Sequence, residues 1–402
     1  MYKLGSSALV ELGKISNLEK VWDDFWRRTR GKTTPGIDDV SPILFREQKR
    51  SRLQSIHHDL RDGYQFSALR GVAVPKTDPS KLRLICVPTV ADRIVQRALL
   101  KVLEKQSRKL GILNEVSYGF VRDTNGSERG VHGAHKAASK LRDENPWVFK
   151  ADISKFFDTI DRKDLSTRFC RAFHQKSLAP LFLGAINCEV LARGDRTKIA
   201  ISQNNITPGV GLRQGMPLSP VLSNFVLRDF DKNISSKYPM VRYADDLIVF
   251  TKTEALCIES KVLVERELEK LGLKLSAEKS YVRGPEEPVE FLGMQLTVNK
   301  SGKYELIISE DQMKEIRGNI RKYHDLSFLK SREINAQKLF KRLELMRSGY
   351  LSAYAYAANR DKFEHRLAQW IRRCSYKVYA SIFGQEAVDN LTDEQKIFLM
   401  LI

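Results

Sequence analysis

Val241-Arg242-Tyr243-Ala244-Asp245-Asp246-Leu247-Ile248-Val249-Phe250 sets two adjacent aspartates between two short apolar runs. Such runs predict a hairpin of buried strands, joined through Asp245-Asp246. Two like charges at the tip of an apolar hairpin repel, and an apolar setting pushes one of them toward protonation. A divalent cation removes that cost, because carboxylate oxygens are hard ligands suited to Mg²⁺. An Asp-Asp pair standing alone is ordinarily a solvated turn, so the surrounding text has to decide between the two readings.

Upstream, Val148-Phe149-Lys150-Ala151-Asp152-Ile153 reads as another apolar strand that reaches a carboxylate at its end. Two strands ending in carboxylates can lie side by side in one sheet, which makes Asp152 the natural third ligand beside Asp245 and Asp246. Two metals roughly 3.5–4 Å apart would then activate an attacking 3′ oxygen and stabilise a departing pyrophosphate.

The rest of the chain is mixed α+β. A helix is predicted over residues 16–30, around Trp22, Phe25 and Trp26, with a stop at Thr34-Pro35-Gly36. Val72–Val74 and Leu82–Val87 read as strands flanking the turn Thr77-Asp78-Pro79-Ser80, and residues 92–106 as a helix. Val264, Leu268 and Leu271 follow helical spacing up to Gly272. After about residue 330 the pattern is nearly all helix, with stripes at Leu339, Leu343, Met346 and at Phe363, Leu367, Trp370. No linker, repeat or low-complexity tract interrupts the 402 residues.

Lys and Arg number 68 against 49 Asp and Glu, a formal net charge of +19. That excess attracts polyanions, nucleic acids foremost. No apolar run approaches the roughly 18 to 20 residues of a membrane span, and Met1-Tyr2-Lys3-Leu4-Gly5 lacks the apolar core of a signal peptide. Cys86, Cys170, Cys188, Cys257 and Cys374 form no CxxC pair, which argues against a disulfide framework and a zinc ribbon. The expectation is a cytoplasmic protein with no membrane partner. The histidines show no ligand spacing with cysteine; His132 and His135, three apart, are read as structural. Gly126-Ser127-Glu128-Arg129-Gly130 has neither a P-loop nor a dinucleotide pattern.

Tyr243-Ala244-Asp245-Asp246 resembles the YxDD box of reverse transcriptases, and further boxes of that family follow in its order. Asp152-Ile153-Ser154-Lys155-Phe156-Phe157-Asp158 resembles the first palm box, and Leu212-Arg213-Gln214-Gly215-Met216-Pro217-Leu218-Ser219-Pro220 the second. Leu271 to Ser280 resembles the helix-to-strand box with its lysine, and Phe291-Leu292-Gly293-Met294 the primer-grip turn. Val74-Pro75-Lys76 with Lys81-Leu82-Arg83-Leu84 is similar to the nucleotide-binding hairpin of the fingers, and Trp22 to Ser41 to the N-terminal segment of intron-type enzymes.

The resemblance implies a right-hand polymerase. Its fingers would run over residues 1–145, its palm, ferredoxin-like with an antiparallel sheet, over 146–305 (with a finger-like insertion at about 165–205), and its helical thumb over 306–402. It implies two Mg²⁺ ions, with Mn²⁺ as a substitute, on Asp152, Asp245, Asp246 and the Ile153 carbonyl. Lys76 and Arg83 would clamp the triphosphate of a dNTP, and Phe157 would bar a ribose 2′-OH while Phe156 joins the core. Gln214 and Gly215 would admit the nascent base pair, and Lys279 would protonate pyrophosphate or form a salt bridge. Phe291, Leu292 and Gly293 would grip the primer. Lys338, Lys341, Arg342 and Arg347, beside Tyr350, Tyr354 and Tyr356, would track nucleic acid along the thumb or form a solvated face.

The text departs from the best-known branches. Ser117-Tyr118-Gly119-Phe120 continues into Val121-Arg122-Asp123 rather than the Arg-Pro-Gly-Arg-Ser run of intron enzymes. The Asn-Ala-x-x-His and Val-Thr-Gly motifs of retron enzymes are not in their places, and about 108 residues follow Met294, enough for a thumb but not for an HNH nuclease. These departures resemble compact defence-associated reverse transcriptases, which implies a structured non-coding RNA template, a DNA primer or product, and an effector protein. Template-independent or protein-primed synthesis, intron-type mobility, and a non-catalytic RNA-binding protein stand as alternatives; intact aspartates disfavour the last.

Overall fold

A computed structural model describes residues 7–76, 78, 80–121, 128–399 and 401. The readings made on Met1 to Gly5, on Thr77 and Pro79 of the expected turn, and on Arg122, Asp123, Gly126 and Ser127 lie outside the described residues. The chain forms two compact units, Met1–Ala134 with Phe149–Val282, and His135–Val148 with Arg283–Ile402.

In the first unit, β1 (Leu69–Pro75) and β2 (Leu82–Val87) form an antiparallel hairpin in which Val74 faces Arg83. β2 has the bounds expected of it, and β1 extends beyond the expected Val72–Val74 at both ends. β3 (Trp147–Asp152) follows, then β4 (Val190–Leu191), which pairs parallel with β1. β5 (Met240–Tyr243), β6 (Asp246–Thr251) and β7 (Tyr281–Arg283) complete a four-stranded sheet in the order β5-β6-β3-β7. Residues 247–251 of β6 are all buried, the signature of a strand covered on both faces. The Ser219–Ser235 helix buries Phe225, Leu227 and Phe230, and the Glu254–Glu269 helix buries Val264 and Leu268. The predicted N-terminal helix is Ile15–Thr29. It ends at Arg30 in the left-handed region, and its Trp22 stacks on Phe45 at 4.7 Å.

In the second unit, β8 (Val289–Phe291), β9 (Met294–Val298) and β10 (Tyr304–Ile307) form an antiparallel sheet. Arg142, fully buried, donates to the carbonyls of Leu296 (2.8 Å), Gly284 (2.9 Å) and Glu287 (2.6 Å), with its guanidinium 4.5 Å from the Tyr304 ring centre. The helices Glu310–Arg321, Ala336–Ala353 and Arg360–Phe383 follow, and the expected stripes bury Leu339, Leu343, Phe363 and Leu367. No helix among the described residues is long and apolar enough to cross a membrane.

Candidate active site

Backbone hydrogen bonds bring the distant boxes together. Ile153 N–H donates to the Asp245 carbonyl at 3.0 Å, tying the end of β3 to the β5–β6 turn. On the other flank Ser154 N–H donates to the Lys274 carbonyl and Ser276 N–H to the Asp152 carbonyl, each at 2.8 Å, so the segment carrying Lys279 runs alongside. Leu212 N–H donates to the Phe157 carbonyl at 2.7 Å, which docks the second palm-like box on the first.

Tyr243 faces Asp246 across the hairpin, so the two-residue turn is Ala244-Asp245 and Asp246 is the first residue of β6. The reading that put both aspartates at the tip is corrected here. Ala244 sits at φ 58°, a left-handed conformation that costs an alanine roughly 1 kcal/mol or more. The surroundings hold it there. Arg242, wholly buried, donates to the Ala244 carbonyl at 2.9 Å and to Asp231 at 2.7 and 2.5 Å. Gly119 lies so close that a Cβ there would come within 2.8 Å of the Ala244 nitrogen, and the Gly119 carbonyl accepts from Asn224 Nδ2 at 2.8 Å.

A cavity of about 590 Å³ opens beside this turn. Asp152, Ile153, Asp245 and Lys279 line one part of it, and Lys76, Arg83, Phe157, Gln214 and Gly215 line the rest. Asp246 is not among its lining residues; Lys150 Nζ stands 2.5 Å from Asp246 Oδ1. Lys279 Nζ stands 3.1 Å from Asp152 Oδ2. Phe156 is buried and Phe157 half-buried, with the Phe157 ring edge-on to Phe120 at 6.2 Å. Gly215 has φ 103°, and a Cβ would meet the Cys86 carbonyl oxygen at 2.6 Å, so the backbone it admits is that of β2. Cys86 N–H donates to the Gln214 carbonyl at 2.7 Å.

Burial, then the Asp152 charge, push the Asp245 carboxyl above its usual range. Burial pushes Asp246 to about 6 against the pull of Lys150, with Asp152 and Asp245 adding to the rise. Among the described residues no three His, Cys, Asp or Glu side chains are gathered as a preformed metal site. Asp152 and Asp245 nevertheless present an all-oxygen donor pair to one cavity, under mutual repulsion that a hard divalent cation would relieve. The residues present therefore fit such a cation at Asp152 and Asp245, with Asp246 committed through Oδ1 to Lys150.

Sequence reading missed three residues at the site, of which Gln203 and Asn204 line the cavity and Lys150 pairs with Asp246 beside it. Lys150 was legible, since strand period puts it on the face of Asp152. Gln203 and Asn204 were not: Leu82 N–H donates to Gln203 Oε1 and Asn204 Nδ2 to the Leu82 carbonyl, both at 2.9 Å across more than a hundred residues. Asn204 Oδ1 also accepts from Lys76 Nζ at 3.4 Å.

In the second unit, Leu292 (φ 49°) and Gly293 (φ 79°) form the two-residue turn between β8 and β9, while Phe291 is buried. Two successive positive φ angles mark the primed hairpin turn that matches strand twist. Lys338, Lys341 and Arg342 are exposed on one face of the Ala336–Ala353 helix. Arg347 lies off that face, 3.5 Å from Glu364.

The sequence pattern of the family described as reverse transcriptase (RNA-dependent DNA polymerase) matches residues 74–296. Protein YkfC of Escherichia coli (strain K12) is 27% identical over 321 residues, covering 69% of this chain and 79% of that protein. The group II intron-encoded protein LtrA of Lactococcus lactis subsp. cremoris is 23% identical over 343 residues, covering 68% of this chain and 54% of LtrA. This chain thus spans about half the length of LtrA. Among solved structures, a chain of a partial Cas6-RT-Cas1–Cas2 complex aligns with TM-score 0.37 and 23% identity, covering 66% of this chain and 42% of that one.

Proposed function

The chain belongs to the reverse transcriptase (RNA-dependent DNA polymerase) family, and from that premise we propose how its residues divide the work of nucleotide addition. It is a nucleotidyltransferase of the right-hand polymerase class, an RNA-directed DNA polymerase, and its family uses divalent metal ions. The observation that carries the site assignment is that Asp152 and Asp245 face one cavity together with Lys76, Arg83 and Phe157.

Asp152, Asp245, Asp246 and the Ile153 carbonyl would hold the cations. The chemistry two Mg²⁺ ions supply when bound, or Mn²⁺ in their place, is activation of a 3′ oxygen and stabilisation of the departing pyrophosphate. Lys76, just past the end of β1, and Arg83 on β2, both exposed, clamp the triphosphate and neutralise charge that grows during transfer. Phe157 closes the wall where a ribose 2′-OH would sit, and the Gln214-Gly215 backbone, clamped to β2, seats the nascent pair. Lys279 Nζ, on leaving Asp152, delivers a proton to the pyrophosphate. Phe291, Leu292 and Gly293 position the primer, while Lys338, Lys341 and Arg342, with Arg347, follow the nucleic-acid backbone. In this reading residues 1–145 act as fingers, 146–305 as palm and 306–402 as thumb.

Asp245→Asn/Asp246→Asn in the full chain abolishes primer extension while RNA binding persists; synthesis at the original rate would overturn the assignment. We assign the enzyme a dedicated structured non-coding RNA as template, in cytoplasmic anti-phage defence, supported by the departure of its text after Phe120 from the intron-type run. Sequencing the nucleic acids that purify with the protein tests this. One enriched RNA, with complementary DNA lost in the aspartate variant, is expected; DNA with no complementary RNA would favour untemplated or protein-primed synthesis instead.

A further inference from the structure

The second unit holds a cavity of about 180 Å³ between two of its helices. Arg317 and Arg321 stand one turn apart on the Glu310–Arg321 helix, with His324 just beyond. Trp370, Arg373 and Lys377, at i, i+3 and i+7, follow one face of the Arg360–Phe383 helix. The floor is apolar, formed by Ile320 beside Cys374, which are 1% and 0% exposed, with Cys374 Sγ 3.8 Å from the Ile320 carbonyl.

Four cations therefore line one small cavity, and among the described residues none of the four makes an ion pair. Nearby acids are taken elsewhere. Glu310 pairs with Lys362 and Arg366, Asp311 with Lys314, and Asp325 accepts from Ser327 N–H. Burial, then the charges of Arg321, Arg373, Lys377 and Arg317, hold the His324 imidazole below its usual range. Favourable interaction with a helix C-terminus accounts for Arg321. It does not account for Arg373 and Lys377 in mid-helix, facing the same space.

We propose that this cavity is a second nucleic-acid site, which takes the phosphates of an unpaired RNA segment on its four cations and one base against Trp370. Unpaired charge supplies phosphate affinity through counterion release. Trp370, half-buried at the wall and 6.4 Å from Phe363, supplies a stacking face. The volume lies below the roughly 300–1,000 Å³ of small-molecule sites, which favours a strand that dips a phosphate in over a free nucleotide. The proposal goes beyond the catalytic reading and stands whether or not Asp152 and Asp245 hold metal.

The test uses the full chain and a labelled single-stranded RNA of about 12 nucleotides, within the site size of single-strand binders. Arg373→Gln/Lys377→Gln removes both charges and keeps the first two methylenes of each side chain. It should bind this RNA about tenfold more weakly and lower the slope of log affinity against log salt by about 1.4. Trp370→Leu should weaken binding by about five- to tenfold with the slope unchanged. Asp245→Asn/Asp246→Asn should bind as the parent does, which separates this result from any failure of the catalytic reading. Unchanged affinity and slope in the glutamine variant overturn the proposal. So does a loss seen only with dATP, which would mark a free-nucleotide site, or an equal loss with polyglutamate and none in Trp370→Leu, which would mark a general anion patch.

Discussion

At the scale of single residues, the active turn is a place where local preference is overruled. Ala244 occupies a left-handed conformation that Gly or Asn would adopt more cheaply, and this turns the next residue, Asp245, into the cavity. Its neighbours over-determine the strain, as expected where backbone cost is spent on function. Phe157 makes a second single-residue argument. Both Phe156 and Phe157 line the cavity, but Phe157 is half-buried where Phe156 is 2% exposed, so truncating Phe157 opens the wall without emptying the interior. Phe157→Ala is expected to raise ribonucleotide incorporation at least severalfold relative to dNTPs, measured by competition in primer extension. Unaltered sugar discrimination would remove the gate role. That Asp152 and Asp245 would come together was legible from two apolar strands each reaching a carboxylate; that Asp246 would not line the cavity was not. The Lys150 partner of Asp246 was legible in principle, because a lysine in an otherwise buried strand needs an anion.

At the scale of elements, two buried ionic clusters hold the boxes in register. The Asp231–Arg242 pair is 1% and 0% exposed and joins the Ser219–Ser235 helix to β5. Asp231→Ala would leave a buried guanidinium uncompensated, at about 3–5 kcal/mol. Urea unfolding should show that loss, and the Ala244 turn should lose its support; a cost within experimental error would mean the pair is dispensable. Glu189 joins Arg162 and Arg213, each 2% exposed, and accepts from Gly209 N–H at 2.9 Å. Burial alone would raise the Glu189 carboxyl; the Arg213 hydrogen bond, the Gly209 N–H and the Arg162 charge outweigh it and hold it below 4.5. A depressed carboxylate contributes stability that is complete above its unfolded value and is lost as pH falls through its folded value. Glu189→Gln should therefore cost on the order of 1 kcal/mol near pH 7, since solvent reaches the part-exposed carboxylate and screens its pairing. The gap to the parent should narrow as pH falls below the ordinary glutamate range and close once it passes through the lowered folded value. A gap independent of pH would show that shape, not charge, is what Glu189 supplies. Neither cluster was legible: Asp231 and Arg242 sit on different elements, and Arg162, Glu189 and Arg213 lie more than twenty residues apart with no shared spacing.

At the scale of the whole molecule, the net charge of +19 sets how the protein meets polyanions. If much of that excess faces phosphates, affinity for a mixed-sequence duplex should fall by about 10³-fold between roughly 50 and 200 mM salt. A fall of tenfold or less would place the excess on faces that no phosphate reaches. By itself the sequence determined the α+β class, the strands around Val72–Val74, Leu82–Val87 and Val241–Phe250, and the helical region after about residue 330. These follow from periodicity, turn chemistry and boxes whose members are adjacent in the chain. Only the tertiary structure decided that Asp245 rather than Asp246 lines the cavity, that Gly215 is needed for the approach of β2, and that four unpaired cations converge near Trp370. Each depends on hydrogen bonds or packing between residues far apart in the chain, and no local spacing encodes such contacts.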